Sequence, residues 1–189
     1  MPPKALLVLS FDTAAAHCAA ALVSGDQILG AMSEPLLKGQ AERLIPMLEE
    51  VLTGAGKSWS DLDLIAVGIG PGNFTGVRIA VSAARGLALS LGVPAVGVSV
   101  FEALAFGTTG RVTIARDARR GMVFSQIFED GSPVGDPSMS EGVADDAVID
   151  PVKIAFCAVG KEGGVPPAPL YLRSADAALP SDPPPTMLP

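Results

Sequence analysis

Histidine is almost missing from this sequence. Its one copy, His17, lies in the first hairpin, where neither a His-x-x-x-His metal pair nor a Ser-His-Asp set can be assembled, and it reads as an ordinary strand or turn residue. Cysteine is nearly as scarce. Cys18 and Cys157 stand far apart in apolar segments, which excludes a disulfide framework and fits buried thiols in a reducing cytoplasm. Positive charge is short as well: 13 Lys and Arg against 20 Asp and Glu leave a formal charge of -7. Autonomous nucleic-acid binding needs a basic stripe that displaces counterions, so direct binding by the chain alone is not expected. A membrane-length apolar run is lacking too. The candidate at residues 86–106 carries a single charge, Glu102, but Gly92-Val93-Pro94 breaks it into a helix, a turn and a strand. The opening stretch MPPKALLVLSFDT is too short for a span and shows no signal cleavage site, so no membrane role is expected.

Two nucleotide motifs are also absent. The turn Gly70-Pro71-Gly72-Asn73-Phe74-Thr75-Gly76 invites comparison with a phosphate loop, yet Gly76 is followed by Val77 and Arg78 rather than by lysine and a hydroxyl. That excludes a Walker A loop, and the Gly-Pro-Gly spacing excludes a dinucleotide fingerprint. A tight strand-to-helix turn with Asn73 or Thr75 as N-cap accounts for the residues, with Arg78 left as a candidate anion contact at the helix start.

What the chain has is apolar material, 49% of its residues, in a readable order. Strands are predicted at 5–12, 18–23 and 27–33, the last two joined by Ser24-Gly25-Asp26. A helix follows at 39–54, with a kink or late start at Pro46. After a turn at 60–63 come a strand at 64–70, a helix at 75–91 capped by Gly92, a strand at 95–99 and a short helix at 100–106. This order implies a mixed α/β sheet with flanking helices. The second part is thinner: strands at 112–115 and 122–128 about the polar turn 117–121, an acidic loop at 130–150, and a further strand at 154–159. Beyond Val165 prolines are dense, and an extended or disordered tail is predicted, apart from 170–173 packing on the body. The expected units are a first lobe at 1–107, a reduced second lobe at 108–175 and a Pro-rich tail at 176–189.

The helix at 75–91 has a bare ridge. Gly76, Ala80, Ala84, Ala88 and Gly92 recur every four residues, which permits very close approach of another helix or of the sheet, while Arg78, Ser82 and Arg85 form its only polar stripe. Asp12-Thr13, at a strand end before a hairpin, occupies the place where an actin-like ATPase or sugar kinase puts a phosphate loop. Such an enzyme also needs a second acid and a glycine-rich adenosine loop, and Gly160-Lys161-Glu162-Gly163-Gly164 is the only glycine cluster in that part. Asp117 with Arg119 and Arg120 reads as a polar hairpin tip or, alternatively, a catalytic pair.

The segments LLVLSFDTAAAHCAAAL, KGQAERLIPMLEEVL, GIGPGNFTGVRIAVSAARGLALSLGVPAVGVSVFEALA, ARDARRGMVFSQIF and PLYLRSADA come in the order seen in the TsaB (YeaZ) family. By this resemblance the fold is actin-like (ASKHA, ribonuclease H-like) with a reduced second lobe. It implies a non-catalytic subunit in tRNA threonylcarbamoyladenosine modification, with no metal or cofactor of its own and ATP or ADP only at a heteromeric interface. The implied partners are a TsaD-type catalytic subunit, which carries the metal-binding histidines, a TsaE-type ATPase, and alternatively a second copy of the chain. The resemblance also implies pairing through the two long helices. The residues it points to are Leu44, Met47, Leu48 and Val51 on the first helix, and Phe74, Val77, Arg78, Val81, Ala84, Arg85 and Ala88 on the second. Gln40 and Asn73 depart from the histidine and serine frequent in the family. The rival readings are an actin-like ATPase or small-molecule kinase using Asp12 and Thr13, and a peptidase, for which a single histidine offers no metal cluster.

Overall fold

The computed structural model describes residues 5–145, 147–161 and 164–172. The expected Pro-rich tail at 176–189 and the end of the 170–173 segment lie outside the described residues. Strand β1 (Leu7–Asp12) is buried along its whole length and lies at the centre of a five-stranded sheet of order β3-β2-β1-β4-β5. β2 (His17–Ser24) and β3 (Gln27–Pro35) continue it as an antiparallel meander, whereas β4 (Leu64–Gly68) and β5 (Ala95–Val98) are parallel to it. Parallel neighbours need crossovers, and helices α1 (Gln40–Gly54) and α2 (Phe74–Leu91) supply them. This is the mixed α/β sheet with flanking helices expected from the sequence.

Alternation along β1 builds two cores. Leu7, Leu9 and Phe11 join Leu44, Met47 and Leu48 of α1 with Ala80 and Ala84 of α2, while Val8 points the other way, to α3 (Val100–Ala105) and α4 (Pro151–Ala158). Burial of each large side chain contributes about 1.5–3 kcal/mol. Ser10, also on the α4 side, is fully buried and donates its hydroxyl to the Pro151 carbonyl at 2.7 Å, fastening α4 to the sheet.

Several boundaries differ from the sequence reading. The strand expected at 154–159 is the helix α4. Asp150 caps it, accepting from the Val152 amide at 2.9 Å, and Pro151 occupies the first turn. The short apolar run reads as a strand, but Pro151, Ile154, Ala155 and Ala158 recur at helical spacing and bury one face. The acidic loop expected at 130–150 contains strand β8 (Ser132–Glu141), paired antiparallel to β7 (Met122–Glu129). Its acidic residues suggest a loop, but an edge strand tolerates them together with Pro133 and Pro137, and Asp130-Gly131, both left-handed, makes the two-residue hairpin turn. β6 (Arg111–Arg119) runs further than expected, up to a tight turn at Arg120-Gly121. Helix α1 starts at Gln40 and is unbroken through Pro46, which lies on its exposed side, so the helix does not start late.

The β6-β7-β8 sheet covers α3 through Phe101, Ala105, Phe124 and Phe128. Asp145 and Ala147 then shield its free edge: Asp145 exchanges bonds with the Ala115 backbone, and Arg116 donates to the Asp145 and Ala147 carbonyls at 2.8 Å. Residues grouped by sequence with the second lobe divide between two places. The sheet stands apart from the first, whereas α4 and residues 164–172 return to the first sheet. Helix α2 is long and apolar enough to cross a membrane by length and composition, but Gly76, Val77, Ala80, Val81 and Ala84 are buried inside the fold.

Candidate functional site

The glycine-rich turn is shaped by packing against the loop between β1 and β2. A Cβ on Gly76 would overlap the Thr13 carbonyl oxygen, and one on Gly72 would overlap Ala14. The Asn73 amide donates to the Ala14 carbonyl at 2.6 Å, and Asn73 Oδ1 caps α2 by accepting from the Gly76 amide at 3.0 Å. These glycines allow backbone to meet backbone. At the other end Gly92, with φ 69, closes α2 as predicted.

Asp12 and Thr13, the candidate phosphate loop, are fully buried. Thr13 Oγ1 donates to the Gly76 carbonyl at 2.7 Å, so the hydroxyl is engaged in holding α2. Asp12 Oδ1 accepts from the Ala14 amide at 2.9 Å and lies 2.8 Å from His17 Nε2. Asp12 Oδ2 is buried, has no hydrogen-bond partner among the described residues, and faces Gly68, where any Cβ would overlap it. His17 is the strand residue expected from the sequence, and it is also a buried partner of Asp12. The signal was the fold of the chain itself: Asp12 ends β1, His17 opens β2, and the turn between them brings the two together. Among the described residues no group of three or more His, Cys, Asp or Glu could hold a metal ion. Burial pushes the Cys18 and Cys157 thiols up to about 11, so neither is poised as a nucleophile. Asp117 stays at the hairpin tip, accepting from the Arg119 amide at 2.8 Å.

The interface residues named from the sequence separate into two groups. Leu44, Met47, Leu48 and Val51 point inward from α1, and Val77, Val81 and Ala84 are buried beneath α2. The bare ridge lies mostly against the protein's own sheet and its 13–16 loop: Gly76 abuts Thr13, and Ala80 and Ala84 belong to the main core. Phe74, Arg78 and Arg85 are exposed, and Ala88 is half-buried. Two exposed positions on their stripe were missed, Gly86 and Leu89, the latter 87% exposed. With Ser82 they complete one line along the outer side of α2 at three- and four-residue spacing. Beside it, half-buried Ile79, Ala83 and Leu87 form an apolar seam, and α1 adds exposed Glu42, Ile45 and Glu49. On the stripe, Arg78 lies 3.7 Å above the Phe74 ring and donates through Nε to the Tyr171 hydroxyl at 2.9 Å. An open cleft at the starts of α1 and α2 is lined by Lys38, Gln40, Asn73 and Thr75.

Comparison with known proteins agrees with this architecture. The family model described as TsaD, tRNA N6-adenosine threonylcarbamoyltransferase, matches residues 33–159. The tRNA threonylcarbamoyladenosine biosynthesis protein TsaB of Escherichia coli is 39% identical over 122 residues, 62% of this chain and 52% of its own length. The chain belongs to the TsaB/YeaZ family. The Bacillus subtilis TsaB is 33% identical over 127 residues, covering 66% of this chain and 56% of its own. A Pseudomonas aeruginosa structure described as similar to peptidase YeaZ superposes with a TM-score of 0.76 at 26% identity, over 89% of this chain and all of that one. A second Pseudomonas aeruginosa structure, YeaZ, gives a TM-score of 0.63 at 30% identity, over 76% and 72% of the two chains. The chain spans about half the length of the curated TsaB relatives it matches.

Proposed function

We propose that this chain is a non-catalytic, cytoplasmic subunit in tRNA threonylcarbamoyladenosine biosynthesis, which pairs with a TsaD-type catalytic subunit through the outer face of α1 and α2. The observation that carries the reading is the exposed α2 stripe beside an apolar seam. A face of this kind, with Leu89 and Phe74 standing in solvent, is suited to burial against a partner. The TsaD family model matches this very chain, α1 and α2 included, so the partner is a relative of similar architecture. Related lobes can meet by the same face about an approximate two-fold axis. Charge supports that arrangement: α2 presents Arg78 and Arg85, α1 presents Glu42 and Glu49, and a two-fold pairing sets one helix against the partner's other. A second copy of the chain is the competing occupant. A TsaE-type ATPase completes the assembly, and any ATP or ADP is bound only where subunits meet.

The test is the pairing itself. Leu89→Glu places a charge at the last turn of the exposed stripe without touching the core. It is expected to abolish co-purification with the TsaD-type subunit and to remove the modified adenosine from tRNA of cells that carry only this variant. Undiminished pairing and modification would overturn the proposal.

A further inference from the structure

Residues 164–172 return from α4 and lie as a strap along α2. Pro167 is buried against β5, so close that a Cβ on Gly97 would meet the Pro167 Cβ at 3.4 Å. The Leu170 amide donates to the Ile69 carbonyl at 2.8 Å, and Leu170 and Leu172 pack on the Phe101–Phe128 cluster. Between these two leucines Tyr171 points outward, 52% exposed, with its ring 5.6 Å from Phe74 and its hydroxyl accepting from Arg78. Further along, residues 164–167 and the stretch from Arg85 to Ala95 enclose an open, largely apolar groove of about 660 Å³ beside Leu89. The strap thus borders the exposed stripe from its first residue to its last turn.

We propose that this strap is one wall of the docking face and that Tyr171 is a positioning residue for Arg78, a role that rests on the docking reading above. Arg78 is sandwiched: the Phe74 ring covers its plane, and Tyr171 takes its Nε–H, leaving the two terminal nitrogens directed to a partner carboxylate. Among the described residues neither Arg78 nor Arg85 has a carboxylate partner, and α2 carries no acid. A long arginine held in one geometry before binding loses less freedom on association. The partner segment that fits is a helix with an acid opposite Arg78, a second acid two turns on opposite Arg85, and an apolar anchor one turn further that enters the groove between Leu89 and Val165.

The experiment measures the dissociation constant of the full-length chain with the TsaD-type subunit of the same organism, by calorimetry. The variants are Tyr171→Phe, Tyr171→Ala, Arg78→Ala, the double variant, and Leu89→Glu, with thermal unfolding run alongside. Tyr171→Phe keeps the ring and loses only the acceptor, and is expected to weaken pairing about threefold; Tyr171→Ala is expected to weaken it about tenfold, with unfolding unchanged. The double variant is expected to bind no worse than Arg78→Ala alone, because Tyr171 acts through Arg78. If Leu89→Glu abolishes pairing and Tyr171→Ala leaves it intact, the strap proposal is overturned while the docking face stands. Additive losses in the double variant overturn the positioning role. If neither Leu89→Glu nor Tyr171→Ala weakens pairing, the docking reading itself fails.

Discussion

The two sides of α2 are made of different material and answer to different demands. The inner side is nearly bare, and Gly76, Ala80 and Ala84 let the helix backbone settle onto the 13–16 loop and the sheet. The outer side carries Phe74, Arg78, Arg85 and Leu89, whose long side chains stand in solvent. Small residues at four-residue spacing mark close approach, and here the close approach is intramolecular. The surface proposed for a partner is the side with large side chains, the kind that serve as binding anchors.

The largest effect that sharpens this contrast lies on the inner side. Gly76→Val drives a side chain into the Thr13 carbonyl, and is expected to lower stability by about 3 kcal/mol or more in urea unfolding. A loss below about 1 kcal/mol would mean that α2 is not pressed against the loop. His17→Ala comes next. It leaves the buried Asp12 carboxylate without its ring partner, and a cost of about 3 kcal/mol is expected in the same assay. An N-cap change is smaller: Asn73→Ala removes the acceptor of the Gly76 amide and is expected to cost about 1 kcal/mol. On the outer side, Leu89→Glu is expected to change monomer stability by no more than about 0.5 kcal/mol, since the residue is already in solvent.

A pH effect of modest size belongs to the α3–α4 junction. Burial pushes the Glu102 carboxyl up, but its bonds to Lys161 at 2.6 Å and to the Ser99 amide at 2.8 Å outweigh this and hold it below the ordinary carboxylate value. A depressed folded pKa gives stability that is present above the unfolded value and is lost as pH falls through the folded one. Glu102→Gln should therefore flatten part of the acid limb, below about pH 5, in a plot of unfolding temperature against pH. An unchanged limb would show that the pair with Lys161 contributes nothing.

Much of the fold was readable because local chemistry and burial agree there. β1 is a largely apolar strand buried on both faces, and Gly92 followed by Pro94 marks the end of α2 without ambiguity. The misreadings occur where two local rules conflict. Asp150-Pro151 starts a helix, but the short apolar run at 154–159 reads as a strand; the acidic residues of 130–150 read as a loop, but an edge strand accommodates them along with Pro133 and Pro137. The candidate site was legible as a helix and not as a face. Periodicity shows that Gly76, Ala80 and Ala84 share a side of α2, but which side meets the sheet depends on β4 and the 13–16 loop, which periodicity does not encode. Packing of the segment around Tyr171 on the body is expected from the sequence and is seen for Leu170 and Leu172, but the contact of Tyr171 with Arg78 has no local signal, since it spans 93 residues of sequence.

The central claim is that the inner ridge of α2 holds the fold while the outer stripe holds the partner. The most direct measurement is sedimentation equilibrium of Leu89→Glu with the TsaD-type subunit, beside the thermal unfolding of the same variant alone. The account predicts an unfolding temperature equal to that of the parent chain and a dissociation constant raised about 100-fold or more. A variant that pairs as tightly as the parent would contradict it.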